Sequence, residues 1–115
     1  MSAEEQIEAF AAYVKSLGRS NRTAEIYRQQ LRYWQKYLAE KNIADPTQLT
    51  PQLVTGYQAW LYGYRTRFGK PFSLSSQRAL LMTLRLFLRF LVKRRLLPSA
   101  ARPFLNEAEE ALQLA

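Results

Sequence analysis

Apolar residues recur along this chain every three or four positions, in four stripes separated by helix-breaking punctuation. Ile7, Phe10, Ala11, Val14 and Leu17 form the first, with Ser2 and Glu5 at capping-box spacing ahead of it and Gly18 as a C-terminal stop. The second predicted helix begins at Ser20 or Asn21, runs to about Lys41 and carries Tyr27, Leu31, Trp34, Tyr37 and Leu38 on one face. A connection containing Asp45-Pro46 follows. Thr50 then supplies an N-cap, with Pro51 at the first helical position, where its missing N–H does no harm. Leu53, Tyr57, Trp60, Leu61 and Tyr64 make the third stripe. After a Gly/Pro-containing loop, Ser73 or Ser75 opens a fourth helix, which continues to about Arg95 before Pro98 ends it. Its core positions Leu80, Leu81, Leu84, Phe87, Leu88 and Leu91 fall within an arc of roughly 120°. Residues 98–105 read as a linker, and Asn106 as the cap of a short acidic helix with Ala108, Ala111, Leu112 and Leu114. The pattern predicts an all-α, four-helix bundle followed by a short extra helix or linker, with Tyr27, Trp34, Tyr57 and Trp60 in the core.

Composition narrows the function by exclusion. At 115 residues, 48% of them hydrophobic, the chain is one domain able to bury a core without staples. It contains no Cys, which fits a reducing compartment. No apolar run approaches the ~18 residues of a membrane span, and the acidic N-terminus lacks a signal-peptide layout, so a cytoplasmic location and no membrane partner are expected. There is no His, which removes the commonest general base and the commonest metal ligand. The four glycines stand apart at Gly18, Gly56, Gly63 and Gly69, so no phosphate-cradling loop is present. The carboxylate pairs Glu4/Glu5 and Glu109/Glu110 read as solvated helix charges. No catalytic constellation, cofactor or metal site is expected.

Charge supplies the positive signal. The 61 residues from Pro46 to Asn106 contain ten Lys or Arg and no Asp or Glu, while all nine acids lie outside this stretch. A one-sign block of this length calls for an anionic partner, and a nucleic-acid backbone rewards spread positive charge best. On the fourth helix Arg85, Arg78, Arg89 and Lys93 lie at about 100°, 120°, 140° and 180° from Leu84, one stripe beside the core face. Ser76 and Gln77 stand at its N-terminal end as hydrogen-bond donors. Arg28, Arg32 and Lys36 recur at four-residue intervals on the second helix, near Arg22 and Gln29, with Glu25 placed to pair along the same surface. Arg67 and Lys70 in the loop suit non-specific phosphate contact, with Phe68 and Phe72 expected to anchor that loop to the core. Leu86 and Phe90 fall on the side of the fourth helix opposite the Arg stripe, either as partly exposed single residues or as a contact for another domain or protomer. A different reading of the same charge is a basic helical interaction or adaptor domain that meets an acidic protein or a membrane surface. A small transcriptional regulator fits less well, because no compact helix-turn-helix pair is evident.

The order of these motifs resembles a known family. Ser20, Thr23, Tyr27, Leu31, Trp34, Tyr37 and Leu38 are spaced as in the second helix of the N-terminal, SAM-like core-binding domain of tyrosine recombinases and phage integrases. The run from Leu80 to Leu91 resembles that domain's final helix, Thr50-Pro51 and Tyr57 its third, and Leu96-Leu97-Pro98 its exit. The resemblance covers about residues 4–105. It implies a domain, residues 1–98, that clamps a recombination site in double-stranded DNA, with the second and fourth helices toward the major groove. Arg28, Arg32, Gln77, Arg78, Arg85 and Arg89 are then the expected DNA contacts, and Ser20, Thr23, Ser75 and Ser76 the phosphate contacts at helix starts. The family's Arg-Lys-His-Arg cluster and nucleophilic Tyr belong to a second, C-terminal catalytic domain. Because this chain has no His and its tyrosines lie on helix faces, it reads as a module that does not cut DNA by itself, with 99–115 as a linker onward. That catalytic domain and neighbouring recombinase protomers are the implied protein partners.

Overall fold

The structure is a computed structural model that describes residues 2–43 and 49–96. The Asp45-Pro46 connection, the Pro98 stop, the 98–105 linker and the acidic helix expected from Asn106 lie outside these residues. Four helices are present among the described residues, α1 (Ala3–Ser16), α2 (Asn21–Glu40), α3 (Pro51–Gly63) and α4 (Leu74–Lys93), and 74% of the described residues are helical. Each begins at a hydroxyl cap, which accepts a hydrogen bond from a backbone N–H that the helix cannot pair itself. Ser2 receives Glu5 N–H, Ser20 receives Thr23 N–H, Thr50 receives Leu53 N–H and Ser73 receives Ser76 N–H. At α1 the box closes, since Ser2 N–H donates back to Glu5 Oε1 at 3.1 Å, a contact that holds the Glu5 carboxyl below its ordinary pKa.

The C-terminal ends of α2 and α4 are closed by left-handed residues. Asn42 (φ 58°) and Arg95 (φ 56°) turn the chain after α2 and α4. This lets Ile43 N–H reach Leu38 O and Leu96 N–H reach Leu91 O, both at 2.9 Å. Ile43 and Leu96 then fold back onto the core, as this type of C-terminal motif requires.

α2 lies at the centre, in contact with each of the other helices, most extensively with α1. Its buried Ala24, Leu31, Trp34, Tyr37 and Leu38 meet Ile7, Phe10, Ala11 and Val14 of α1, Val54, Tyr57 and Leu61 of α3, and the leucines of α4 in one core. Two aromatic groups organise it. Phe10 stacks on Tyr27 at 5.8 Å and meets Phe87 and Phe90 at 5.6 and 5.4 Å, joining α1, α2 and α4. Trp34, Tyr37, Tyr57 and Trp60 form a second group with neighbouring centroids 5.2–5.8 Å apart, joining α2 to α3. Polar side chains are satisfied between elements: Thr83 hydrogen-bonds Gln30 across α4 and α2, and Trp60 Nε1–H donates to Glu40. Buried Gln6 donates to Leu96 O at 3.4 Å, tying α1 to the end of α4.

Two apolar expectations are corrected. Phe90 is 7% exposed, because α1 covers that flank of α4 and places Phe10 and Tyr13 against its ring. Leu86 is half-buried against the same core. Leu17, in contrast, turns outward at the end of α1 and is 59% exposed.

A hydroxyl sits tightly between α2 and α3. Tyr37 Oη donates to Leu53 O at 2.6 Å, and a Cβ added at Gly56 would stand 2.7 Å from that oxygen. Gly56→Ala is therefore expected to lower the unfolding free energy by about 1–3 kcal/mol. Tyr37→Phe removes the oxygen, so in chemical denaturation the double variant should be more stable than the sum of the single changes. Burial also raises the pKa of Tyr57 and, less strongly, of Tyr37. The unfolded chain releases these protons near pH ~10 while the fold keeps them, so stability is intact below that pH and falls above it. The expected slope is up to about 1.4 kcal/mol per pH unit for each retained proton, and Tyr57→Phe should flatten it in alkaline denaturation.

Candidate nucleic-acid interface

The outer surface of α4 is set by the packing of its other flanks. With Leu80, Leu84, Phe87, Leu88 and Leu91 inside, Arg78, Met82, Arg89 and Lys93 are exposed and Arg85 is half-buried beside them. Arg85 also reaches back along the helix, its Nη1 lying 3.9 Å from Met82 Sδ. The four basic residues of the expected stripe thus share one side of α4. α3, the following loop and α4 contain no carboxylate.

The expected donors at the start of α4 are already used by the fold. Ser76 gives its N–H to Ser73 Oγ, and the two hydroxyls lie 3.1 Å apart. Gln77 Nε2 donates to Phe72 O at 3.1 Å, joining the first turn of α4 to the preceding loop. Ser20 and Thr23 behave likewise at α2, with hydroxyls 3.0 Å apart inside the cap.

That loop is a short hairpin. Arg65 and Pro71 form an antiparallel bridge, and Thr66 N–H donates to Lys70 O at 2.8 Å. Phe72 roots it by T-shaped contact with Tyr33 at 5.1 Å and stacking on Tyr64 at 5.2 Å. Of the two phenylalanines expected to anchor the loop, only Phe72 does so. Phe68 is 74% exposed at the tip, with the Arg67 guanidinium 4.9 Å from its ring centre and exposed Lys70 two residues on.

The α2 residues divide into two groups. Arg28 donates to Glu25 at 2.7 Å and to Glu8 of α1 at 3.0 Å, and these carboxylates, Glu25 first, raise its pKa above the ordinary arginine value. Its charge is balanced within the protein. Arg32 is exposed beside Gln29, Gln30 and Tyr33 around an open depression. Lys36 donates to Tyr64 Oη at 3.1 Å over the same ring, 5.0 Å from its centre, and the contact favours the ammonium and raises its pKa. Tyr33 and Tyr64 both touch Phe72, so Arg32 and Lys36 neighbour the side chains that root the hairpin.

At the other end of α4, Arg89 and Lys93 line a groove of about 320 Å³ together with Arg19 from the α1–α2 turn. Its remaining walls are apolar, from Phe10, Tyr13, Val14, Leu17, Tyr27, Leu86 and Phe90. Sequence reasoning did not single out Arg19. Only the crossing of α1 over α4 brings it to these two cations, and no helical periodicity encodes that crossing.

Against this geometry, residues 7–95 match the family model described as the N-terminal SAM-like domain of phage integrase. The match covers well over half of the chain, which therefore belongs to that family. No individual curated protein and no solved structure matches it. The family match concerns the N-terminal domain alone. No described helix is long and apolar enough to cross a membrane, and no group of His, Cys, Asp and Glu able to hold a metal ion occurs among the described residues.

Because Glu8 and Glu25 are 55% and 44% exposed, solvent screens the Arg28 pairs. Arg28→Gln is expected to cost at most about 1 kcal/mol, with the loss shrinking in high salt when stability is read by denaturant titration.

Proposed function

We propose that this chain is the DNA-holding module of a site-specific recombinase. Exposed Arg78, Arg89 and Lys93 with half-buried Arg85 on α4, joined by Arg67 and Lys70 on the hairpin and Arg32 on α2, lie against the phosphates of double-stranded DNA. The observation that carries this reading is the one-sided charge of α4 and its hairpin, in a chain of the phage integrase family. Along a 20-residue helix, about 30 Å long, such a stripe matches the spacing of successive phosphates along or across a groove. Ser20, Thr23, Ser76 and Gln77 contribute indirectly, by fixing the helix starts and the hairpin that present these cations. Arg28 fastens α1 to α2. Strand cleavage belongs, on this reading, to a catalytic domain of the same recombinase, with residues 99–115 serving as the connection.

The adaptor reading draws on the same basic surface, but the burial of Phe90 takes away one apolar contact that a protein partner would have used.

Anisotropy of a labelled duplex of roughly 30 base pairs, titrated with protein at increasing salt, tests the proposal. If these seven cations each neutralise a phosphate, the log-log slope is about −6. Replacing the exposed pair, Arg78→Ala with Lys93→Ala, should make the slope shallower by about 2 and weaken binding without moving the melting temperature. A wild-type affinity that ignores salt would sink the reading.

A further inference from the structure

The hairpin between α3 and α4 carries a side chain that the fold does not use. Phe68 is 74% exposed, yet the turn presenting it is well bonded. Gly69 N–H donates to Thr66 O at 2.8 Å, and Thr66 Oγ1 accepts from Phe68 N–H and Lys70 N–H at 3.3 and 3.4 Å. Gly69 takes φ +74°, a conformation that strains any residue with a Cβ. Below the tip, Arg65 donates to Tyr62 O and Tyr64 O, Gln77 donates to Phe72 O, and the Phe72 ring is packed between Tyr33 and Tyr64. The tip is therefore a stiff mount, and its outermost group is a phenyl ring with a guanidinium against one face and an ammonium two residues on.

An exposed ring on such a mount gains from a partner that offers flat apolar faces between rows of negative charge. Duplex DNA has that layout. Cations meet the phosphates, and an apolar side chain enters between two base pairs, partly unstacking them and bending the helix. An acidic protein surface satisfies the cations but presents carboxylates, not flat apolar faces, to the ring.

We propose that Phe68 is a wedge which the hairpin inserts at a base-pair step, beside phosphates contacted by Arg67 and Lys70. The proposal rests on the DNA-binding function above and adds to it a deformation of the bound DNA. Because Gln77 fixes the hairpin to the first turn of α4, the wedge acts at one end of the basic stripe, while Arg89 and Lys93 hold phosphates at the other. The length of α4, about 30 Å, separates them.

The test uses the whole chain and a duplex carrying a donor and an acceptor dye at its two ends. Binding of the wild type is expected to shorten the end-to-end distance and raise energy transfer. Phe68→Ala should abolish that rise and weaken binding about ten-fold at every salt concentration, leaving the salt slope unchanged, because the ring displaces no counterions. Phe68→Trp should keep both properties, and Arg67→Ala should instead make the slope shallower by about 1. Equal melting temperatures confirm that the variants are folded. Wild-type binding without a rise in transfer, or a Phe68→Ala variant that bends DNA as the wild type does, overturns the wedge, while a steep salt slope still upholds DNA binding. Wild-type binding that is absent or insensitive to salt overturns both.

Discussion

α2 must bury against three other helices at once, and everything else in the molecule is arranged around that demand. A helix offers only a limited apolar arc before its polar positions are also covered. α2 answers by changing chemistry from flank to flank. Toward α1 it presents Tyr27 and the doubly paired Arg28, toward α3 the rings of Trp34 and Tyr37, and toward α4 the amide of Gln30 for Thr83. Tyr33 extends the third flank onto the hairpin. What remains uncovered is the strip holding Arg22, Gln29 and Arg32, so the accessible basic surface of α2 is what its packing leaves over.

The same logic divides the charges. Most of the carboxylates in the described helices have structural tasks: Glu5 closes the cap of α1, Glu8 and Glu25 grip Arg28, and Glu40 receives the Trp60 indole N–H. These contacts concentrate the acids on α1 and α2. The hairpin and α4 keep cations only, and their net field is directed outward. The carboxylates that hold the fold together and the exposed cations of α4 are thus different residues, and none of those cations belongs to the core.

Much of this was legible in the sequence, because caps and helix faces are local properties. Ser2 with Glu5, Ser20, and Thr50 with Pro51 mark their helix starts by chemistry that operates within one turn, and the leucines from Leu80 to Leu91 fix the buried side of α4. What escaped depends on neighbours. A helical wheel gives the direction of Phe90 but not that α1 occupies it. Arg28, read from its own helix, shows Glu25 but not Glu8. Phe68 and Phe72 have the same composition and nearly the same position, and only the fold of the hairpin sends one ring outward and the other to Tyr33. The hydroxyl and amide groups of Ser76 and Gln77 looked available because their partners, Ser73 Oγ and Phe72 O, are defined only once the turn has formed.

The bond from Gln6 to Leu96 O joins residues at opposite ends of the described fold. The path of the chain through the four helices therefore returns to its own starting edge, and the domain is close to a ring. In a ring, the position of the break matters little to the contacts inside it. A short connector across that edge, with new termini opened at the hairpin tip, would reorder the helices as α4, α1, α2, α3 while keeping every interface between them. The order of the helices along the chain is thus separable from their arrangement in space, which gives this domain freedom to be joined to other domains from more than one point on its surface.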